Sequence, residues 1–165
     1  MMQSRPRLSL VVPVFNEERC TQDDLVTVPA YLDAQPYSAE IIVVDDGSHD
    51  RTAEIVAAFA GAHTGVRLIR NDHRGKACAV RTGVFEAGGD YVVFTDAGLA
   101  TPIHQIGKLL VALDMGNDVA IASLEGCGTR RLGEPWTRHF MGRHKDTQCG
   151  CKGFRRRAAP SRCGP

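Results

Sequence analysis

The stretch Glu40-Ile41-Ile42-Val43-Val44-Asp45-Asp46-Gly47-Ser48 decides the fold of this chain. It opens with a short, almost wholly apolar run, which is typical of a strand buried on both faces of a parallel sheet. The polar residues that follow end this strand, and Ser48 or Asp50 can act as the N-cap of a helix. The stretch therefore predicts a strand, an acidic turn and a helix.

The same alternation continues on both sides of this stretch. Predicted strands cover 8–15, 40–44, 66–70, 91–95 and 119–123, and predicted helices cover 23–32, 51–60, 77–87 and 103–113. This order predicts an α/β fold, a mainly parallel sheet with helices on both faces. After Ser123 the pattern weakens to a short helix at 136–143 and a strand that ends near Phe154.

Polar clusters follow three of the predicted strands. They are Asn16-Glu17, Asp45-Asp46 and Asp96. Because open α/β sheets bind ligands beyond the carboxyl ends of their strands, we expect these clusters to share one site.

Composition indicates a single globular domain. The chain has 165 residues, of which 43% are hydrophobic and 24% are charged. The formal net charge is only +1, but the segment Arg130–Arg162 is strongly basic, with Glu134 and Asp146 as its only acids. A basic segment of this kind suits phosphate groups or an anionic membrane surface, and a solvated tail is the simpler alternative.

The six cysteines predict neither a zinc site nor a disulfide framework. They occur singly or as one Cys-Gly-Cys, and no secretory signal precedes them, so we expect reduced thiols and a cytoplasmic protein. The apolar runs are strand-sized, so any membrane contact is expected to be peripheral, on the cytoplasmic face.

Two turns carry charged groups suited to a nucleotide. The carboxylates of Asp45-Asp46 can accept hydrogen bonds from a base or a ribose, although acids before a helix also serve as caps. The segment Arg74-Gly75-Lys76 precedes a helix, so it can meet a diphosphate, although an exposed basic pair is the alternative.

The turn Asp96-Ala97-Gly98 ends an apolar strand. Sites that hold a metal diphosphate at a strand end usually present two carboxylates spaced Asp-x-Asp, and here glycine takes the second place. One carboxylate can still join the coordination of Mg²⁺ or Mn²⁺ when phosphates and water supply other oxygens. Its alternative role is to cap the turn before Thr101-Pro102.

Five blocks in order carry a resemblance to a known family. They are Val-Val-Pro-Val-Phe-Asn-Glu-Glu at 11–18, Val-Val-Asp-Asp-Gly-Ser at 43–48, Arg-Gly-Lys-Ala at 74–77, Phe-Thr-Asp-Ala-Gly-Leu-Ala-Thr-Pro at 94–102 and Asp-Thr-Gln-Cys-Gly-Cys-Lys-Gly-Phe at 146–154. The chain resembles the inverting nucleotide-sugar glycosyltransferases with an A-type (GT-A) fold. Within them it is similar to the branch that glycosylates dolichyl or other polyprenyl phosphates, and in particular to dolichyl-phosphate glucosyltransferases.

The resemblance implies roles for individual residues. Pro13, Phe15 and Glu17 would line the nucleotide pocket. Asp46 would contact the base or ribose, Lys76 would lie near the nucleotide, and Asp96 would be the metal ligand and a catalytic residue. Arg138, as a further catalytic residue, would hold the acceptor phosphate with Arg143 behind it.

The resemblance also implies a reaction. A hexose, with glucose first, would pass from a UDP-sugar, or less readily a GDP-sugar, to a dolichyl or polyprenyl phosphate. That phosphate is already anionic near neutral pH, so it needs no general base. The site must instead neutralise charge, through Mg²⁺ or Mn²⁺ and arginines. No nucleic-acid partner is expected.

Three departures from the family pattern lie along this reaction path. Gly98 replaces a metal carboxylate, Leu124 stands where a phosphate-binding arginine is usual, and only two residues separate Arg143 from Asp146. They suggest a copy that is truncated at its C-terminal part, internally deleted or degenerate.

The expected organisation is a glycosyltransferase domain at 1–154 and a basic, disordered tail at 155–165. The domain comprises a nucleotide-binding half at 8–123 and an acceptor-side remnant at 124–154. Two other functions stay open: a catalytically inactive nucleotide-binding module of the same fold, and a phospho-accepting receiver domain. The receiver domain is disfavoured because its acidic pair should follow the first strand.

Overall fold

A computed structural model describes residues 5–98, 101–122 and 151–156. The strands are β1 (Leu8–Val14), β2 (Ala39–Asp45), β3 (Val66–Arg70), β4 (Tyr91–Phe94), β5 (Val119–Ile121) and β6 (Lys152–Arg155). The helices are α1 (Glu18–Asp33), α2 (Thr52–Ala62), α3 (Lys76–Glu86) and α4 (Gln105–Asp114). Within these ranges the strands form one sheet in the order β3-β2-β1-β4-β6-β5.

The sheet is mainly parallel, as the sequence predicts. β1 lies between β2 and β4 and pairs with both in parallel, with Val11 opposite Ile42 on one side and Phe94 on the other. β3 joins the outer edge of β2, also in parallel. β6 runs antiparallel to both of its neighbours, β4 and β5. A crossover helix follows each of β1 to β4, so the carboxyl ends of these strands meet at one edge.

Helices cover both faces of the sheet, which confirms the predicted α/β architecture. On one face, α3 packs Ala79 and Val84 against Val11, Ile42 and Val44. On the other face α1, α2 and α4 build a larger core, whose buried residues include Leu25, Val28, Leu32, Val56, Leu109 and Leu113. Because β1 and β2 are apolar toward both layers, their sequences read as continuous hydrophobic runs.

Helix α1 begins five residues earlier than predicted. The apolar pattern starts at Leu25, but the first turns of the helix bury Thr21 and Asp24 instead of apolar side chains. Hydrophobic periodicity cannot detect an inward face that is polar. This polar section of α1 lies against the acidic turn after β4, where Asp24 accepts a backbone hydrogen bond.

The last described strand, β6, includes Arg155, and Arg156 is the last described residue. Arg155 donates hydrogen bonds to backbone carbonyls of α4 and of the turn after it, at Leu113 and Asn117. The remainder of the expected tail, 157–165, lies outside the described residues.

No helix in the part of the chain that the structure describes has the length and hydropathy needed to cross a bilayer. Among the described cysteines, Cys20 and Cys78 are free thiols, and Cys151 is buried.

The approach of α3 to the sheet yields a stability prediction. A Cβ placed on Gly83 would overlap Cγ1 of Val11 and lie 3.1 Å from Cγ2 of Val44, and both valines are fully buried. We expect Gly83→Ala to destabilise the protein by about 1–3 kcal/mol through overpacking. Thermal unfolding should then show a melting temperature lower by roughly 2–10 °C.

The matched control is Gly61→Ala in α2, where an added Cβ meets nothing within 4 Å. This substitution should stabilise the helix by about 0.5–1 kcal/mol. Equal melting temperatures for the two variants would contradict the close packing of α3 on β1.

Candidate functional site

The ends of β1 and β2 are joined by side-chain hydrogen bonds to the backbone. The N–H of Asn16 donates to Ser48 Oγ at 2.9 Å, and the amide oxygen of Asn16 accepts the N–H of His49 at 2.8 Å. The N–H of Glu17 donates to Thr52 Oγ1 at 3.0 Å. The polar residues after β1 are therefore tied to the segment that follows β2, at one edge of the sheet.

Asp50 takes the capping role at the start of α2. Its Oδ1 accepts the N–H of Thr52 at 2.9 Å and the hydroxyl of Thr52 at 2.5 Å. The bond from this hydroxyl is the main cause that lowers the pKa of Asp50 below its usual value. Ser48, the other predicted cap, instead serves Asn16, and the acidic pair is left for a different role.

Asp45 is fully buried at the end of β2. Its Oδ1 accepts the N–H of Ser48 at 3.2 Å, and its Oδ2 lies 3.6 Å from Nε of Arg70 without a hydrogen bond. The carboxylate therefore fixes the turn and faces the strand β3, and it is too enclosed to act as a metal ligand at β4.

Asp46 is 2% exposed and holds the loop that leads into α3. Its carboxylate accepts the N–H of Gly75 at 2.7 Å and the N–H of Arg74 at 3.1 Å, and Nδ1 of His73 lies 2.8 Å from it. Several donors to one buried carboxylate are what the burial of such a charge requires. These carboxylate oxygens already accept hydrogen bonds from backbone N–H groups. The contact of Asp46 with a base or ribose stays a prediction.

Three rings meet at the mouth of this edge. Phe15, at 36% exposure, stacks on His73 with centroids 4.1 Å apart and an interplanar angle of 21°. His49 approaches the Phe15 ring edge-on at 6.3 Å. From the sequence we predicted Phe15 but neither histidine. The signal available was that each histidine follows a polar residue shortly after a strand, in Ser48-His49 and Asp72-His73.

Lys76 and Asp96, two residues predicted at separate strand ends, form an ion pair. Nζ of Lys76, the first residue of α3, contacts Oδ1 of Asp96, which follows β4. The side chains remain 58% and 26% exposed, so a ligand at the sheet edge can reach both. The structure thus unites these two residues in one charged group.

The turn at Gly98 is fixed from the side of α1. Gly98 has a φ of +78°, and its N–H donates to Oδ2 of Asp24 at 2.8 Å. Burial raises the pKa of Asp24, although the Gly98 hydrogen bond acts in the opposite direction. Beside this turn, the hydrogen bond from the Cys20 thiol to Glu17 raises the pKa of Cys20.

The predicted residues differ in how they meet this edge. Pro13 is buried within β1, opposite Val44, two residues before Phe15. Glu17 is exposed beside the polar turn. Arg138 and Arg143, predicted for the acceptor phosphate, lie outside the described residues, as does Leu124.

A polar cleft of about 560 Å³ opens beside the loop that Asp46 holds. Its lining residues are Arg70, Asn71, Asp72, Arg74, Cys78 and Thr82. Asn71 donates to the hydroxyl of Thr82 at 3.0 Å, which ties the loop to α3. The two arginines give the cleft positive groups next to the acidic turn, an arrangement that suits an anionic ligand.

Comparison with known proteins identifies the family. The model of glycosyl transferase family 2 matches residues 9–162. The dolichyl-phosphate beta-glucosyltransferase ALG5C of Trichomonas vaginalis is 34% identical over 178 residues, covering 92% of this chain and 52% of that protein. The bactoprenol glucosyl transferase of Shigella phage SfV is 37% identical over 117 residues, covering 70% of this chain and 38% of its own.

Among solved structures, the mannosyltransferase PcManGT of Pyrobaculum calidifontis, in complex with GDP-Man and Mn²⁺, superposes with a TM-score of 0.65 at 23% identity. The match covers 94% of this chain and 46% of that one, and it shows a shared GT-A fold.

This chain spans about half the length of the curated relatives it matches. Within that span the family model covers all ten described helices and strands apart from the first residue of β1. By its sequence, and in keeping with its sheet, the chain belongs to glycosyl transferase family 2.

Proposed function

We propose that this chain carries the nucleotide-sugar half of a glycosyltransferase that moves a hexose, glucose first, from a UDP-sugar to a dolichyl or polyprenyl phosphate. One observation carries the proposal: the strand ends of a family 2 sheet bring an exposed aromatic ring, a loop held by a buried carboxylate and an exposed Lys76–Asp96 pair to one edge. The named relatives act on lipid carriers of this chemical class.

The Phe15 ring is the proposed contact for the nucleobase. It is 36% exposed while His73 covers part of it, so an aromatic surface remains available to a base. Every base can stack on such a ring, so this contact can accept the uracil of UDP, the first choice, and also the guanine of GDP, the second.

The proposed diphosphate contacts are cations on the loop that Asp46 holds. Arg74 and Lys76 flank Gly75, whose N–H is hydrogen-bonded to the Asp46 carboxylate at 2.7 Å. Because the backbone between the two cations is fixed, less freedom is lost when a diphosphate is bound. Charge neutralisation of the leaving group is the main demand of this reaction.

In the proposed transfer, an oxygen of the lipid phosphate attacks the anomeric carbon as an anion. The new bond joins that oxygen to the sugar, the bond from the sugar to the diphosphate breaks, and UDP leaves with both electrons of that bond. No proton has to be removed from the nucleophile. Arg138 and Arg143 are proposed to hold the acceptor phosphate, and the basic segment around them to lie against the cytoplasmic face of a membrane.

PcManGT is solved in complex with GDP-Man and Mn²⁺. In this chain the acidic turn after β4 offers the carboxylate of Asp96, already paired with Lys76, while Gly98 supplies no side-chain oxygen. Across residues 5–98, 101–122 and 151–156, no group of three or more His, Cys, Asp or Glu could hold a metal ion. These residues do not fit a two-carboxylate clamp for Mg²⁺ or Mn²⁺, so no step is derived through a metal.

A second candidate function is nucleotide binding without turnover. The specific observation in its favour is Gly98, which removes a carboxylate next to the reacting diphosphate. A binding module would keep Phe15, Asp46 and Lys76 in use and would not transfer the sugar.

Transfer can be tested with the purified chain, UDP-glucose and dolichyl phosphate in detergent micelles, with the glucosylated lipid quantified after extraction. We expect product from the wild type and a rate at least about tenfold lower for Asp96→Asn, because the ion pair no longer positions the tip of Lys76 at the diphosphate. The charge-matched control is Asp33→Asn, on the exposed end of α1. Saturable UDP binding with no lipid product would instead favour the binding module.

Replacement of Phe15 tests the base contact. Stacking of a base on an aromatic side chain contributes about 1–3 kcal/mol, so Phe15→Ala should weaken UDP binding at least about fivefold in titration calorimetry. Val26→Ala, at a position 71% exposed on α1, is the control and should leave binding unchanged. Unaltered affinity in a folded Phe15→Ala variant would contradict this placement of the base.

A further inference from the structure

The acidic turn after β4 faces a lysine at the point where family members with an Asp-x-Asp pair would hold a divalent cation. We propose that Lys76 supplies the positive charge for the donor diphosphate at this turn, so that nucleotide binding by this chain does not depend on a divalent metal. The inference rests on the proposed function, because it concerns the same diphosphate.

The lysine is placed by two independent contacts. Its Nζ contacts Oδ1 of Asp96, and its backbone follows directly after Gly75, whose N–H is held by the buried Asp46 carboxylate. Asp46 therefore fixes the base of the side chain, and Asp96 fixes its tip. Because both ends of this flexible side chain are held, less conformational entropy is lost when its ammonium group binds a phosphate oxygen.

The charges balance without a metal. A divalent cation between two carboxylates leaves no net charge at the turn, and one lysine beside one carboxylate leaves none either. With Gly98 at the second position, Asp96 is the carboxylate that remains at the turn, and Lys76 balances its charge. The pairing of Lys76 with Asp96 gives this turn the net charge of an intact clamp.

A metal would also meet a direct competitor at this turn. To bind Asp96 it would have to break the ion pair and then lie next to the displaced ammonium group, which repels it. The nearby acids offer little compensation. The carboxylate of Asp24 is engaged by the N–H of Gly98, and Asp45 is fully buried beside Arg70.

The turn itself admits a restored carboxylate, which makes a gain-of-function test available. Gly98 has a φ of +78°, a conformation that aspartate and asparagine adopt more readily than other side chains. An added Cβ would lie 3.4 Å from Sγ of Cys20, which is within reach of ordinary packing after a small adjustment.

The first experiment is titration calorimetry of UDP into the full chain, once in EDTA and once with Mn²⁺. We expect the two dissociation constants of the wild type to agree within about twofold. In EDTA, Lys76→Met should bind UDP about ten- to a hundredfold more weakly, since it loses a charge-assisted contact. The control Lys108→Met, on the exposed face of α4, should behave as the wild type.

The second experiment rebuilds a metal site. The double variant Gly98→Asp, Lys76→Met should bind UDP at least about tenfold more tightly with Mn²⁺ than in EDTA, because two carboxylates then face the diphosphate without the lysine. Gly98→Asn with Lys76→Met carries the same backbone strain without the charge and should show no such gain. Melting temperatures for every variant exclude unfolding as the cause.

Each contrary result has a distinct meaning. UDP binding by the wild type only in the presence of Mn²⁺ would overturn the inference and leave the proposed function standing. Unchanged UDP affinity of folded Lys76→Met in EDTA would reduce the pair to a structural ion pair and would also overturn it. Absence of binding to UDP and GDP under all conditions would overturn the proposed function, and the inference with it.

Discussion

The carboxylate of Asp46 accepts backbone N–H groups of Arg74 and Gly75 from inside the protein, and the geometry of the whole site depends on this contact. A buried carboxylate without such donors would be strongly destabilising, so the loop between β3 and α3 is held in one conformation. That loop sets the first residue of α3 and therefore the position of Lys76. The same carboxylate also meets His73, which stacks on Phe15. The single buried carboxylate of Asp46 thus contacts both the aromatic part of the surface, through His73, and the loop that carries its cations.

The site is consequently built from elements that are distant in sequence but held by short, specific bonds. β1 and β2 are tied through Asn16 and Ser48, and the turn after β4 is tied to α1 through Asp24. Phe15 and Lys76 at this edge keep substantial exposure, and Asp96 beside them is partly exposed. This division between buried supports and exposed contacts is what a preorganised anion-binding surface requires.

The mainly parallel sheet could be predicted from the sequence, but the contacts within the site could not. Continuous apolar runs identified β1 and β2 because both of their faces are covered, and the polar clusters follow strands whose carboxyl ends lie at one edge of the sheet. The start of α1 was misjudged because Thr21 and Asp24 give its first turns a polar inward face. The role of Asp46 was hidden for a different reason. Its partners are backbone groups of a loop far along the chain, and no side-chain pattern records them. Family resemblance, by contrast, identified both Lys76 and Asp96, but it did not indicate that they pair with each other.

The antiparallel strand β6 has a consequence for how the chain assembles. Because the order of the described strands is β4-β6-β5, β5 finds its partner among them only when β6 arrives from further along the chain, as the pairing of Ala120 with Gly153 illustrates. Closing a connection of this length costs conformational entropy before any ladder bond forms. During synthesis β1 to β4 can pair in order, whereas this side of the sheet must wait for residues made much later. The slow step of folding is therefore expected to be the insertion of β6, and until it occurs the edge of β4 is open to pairing with other chains.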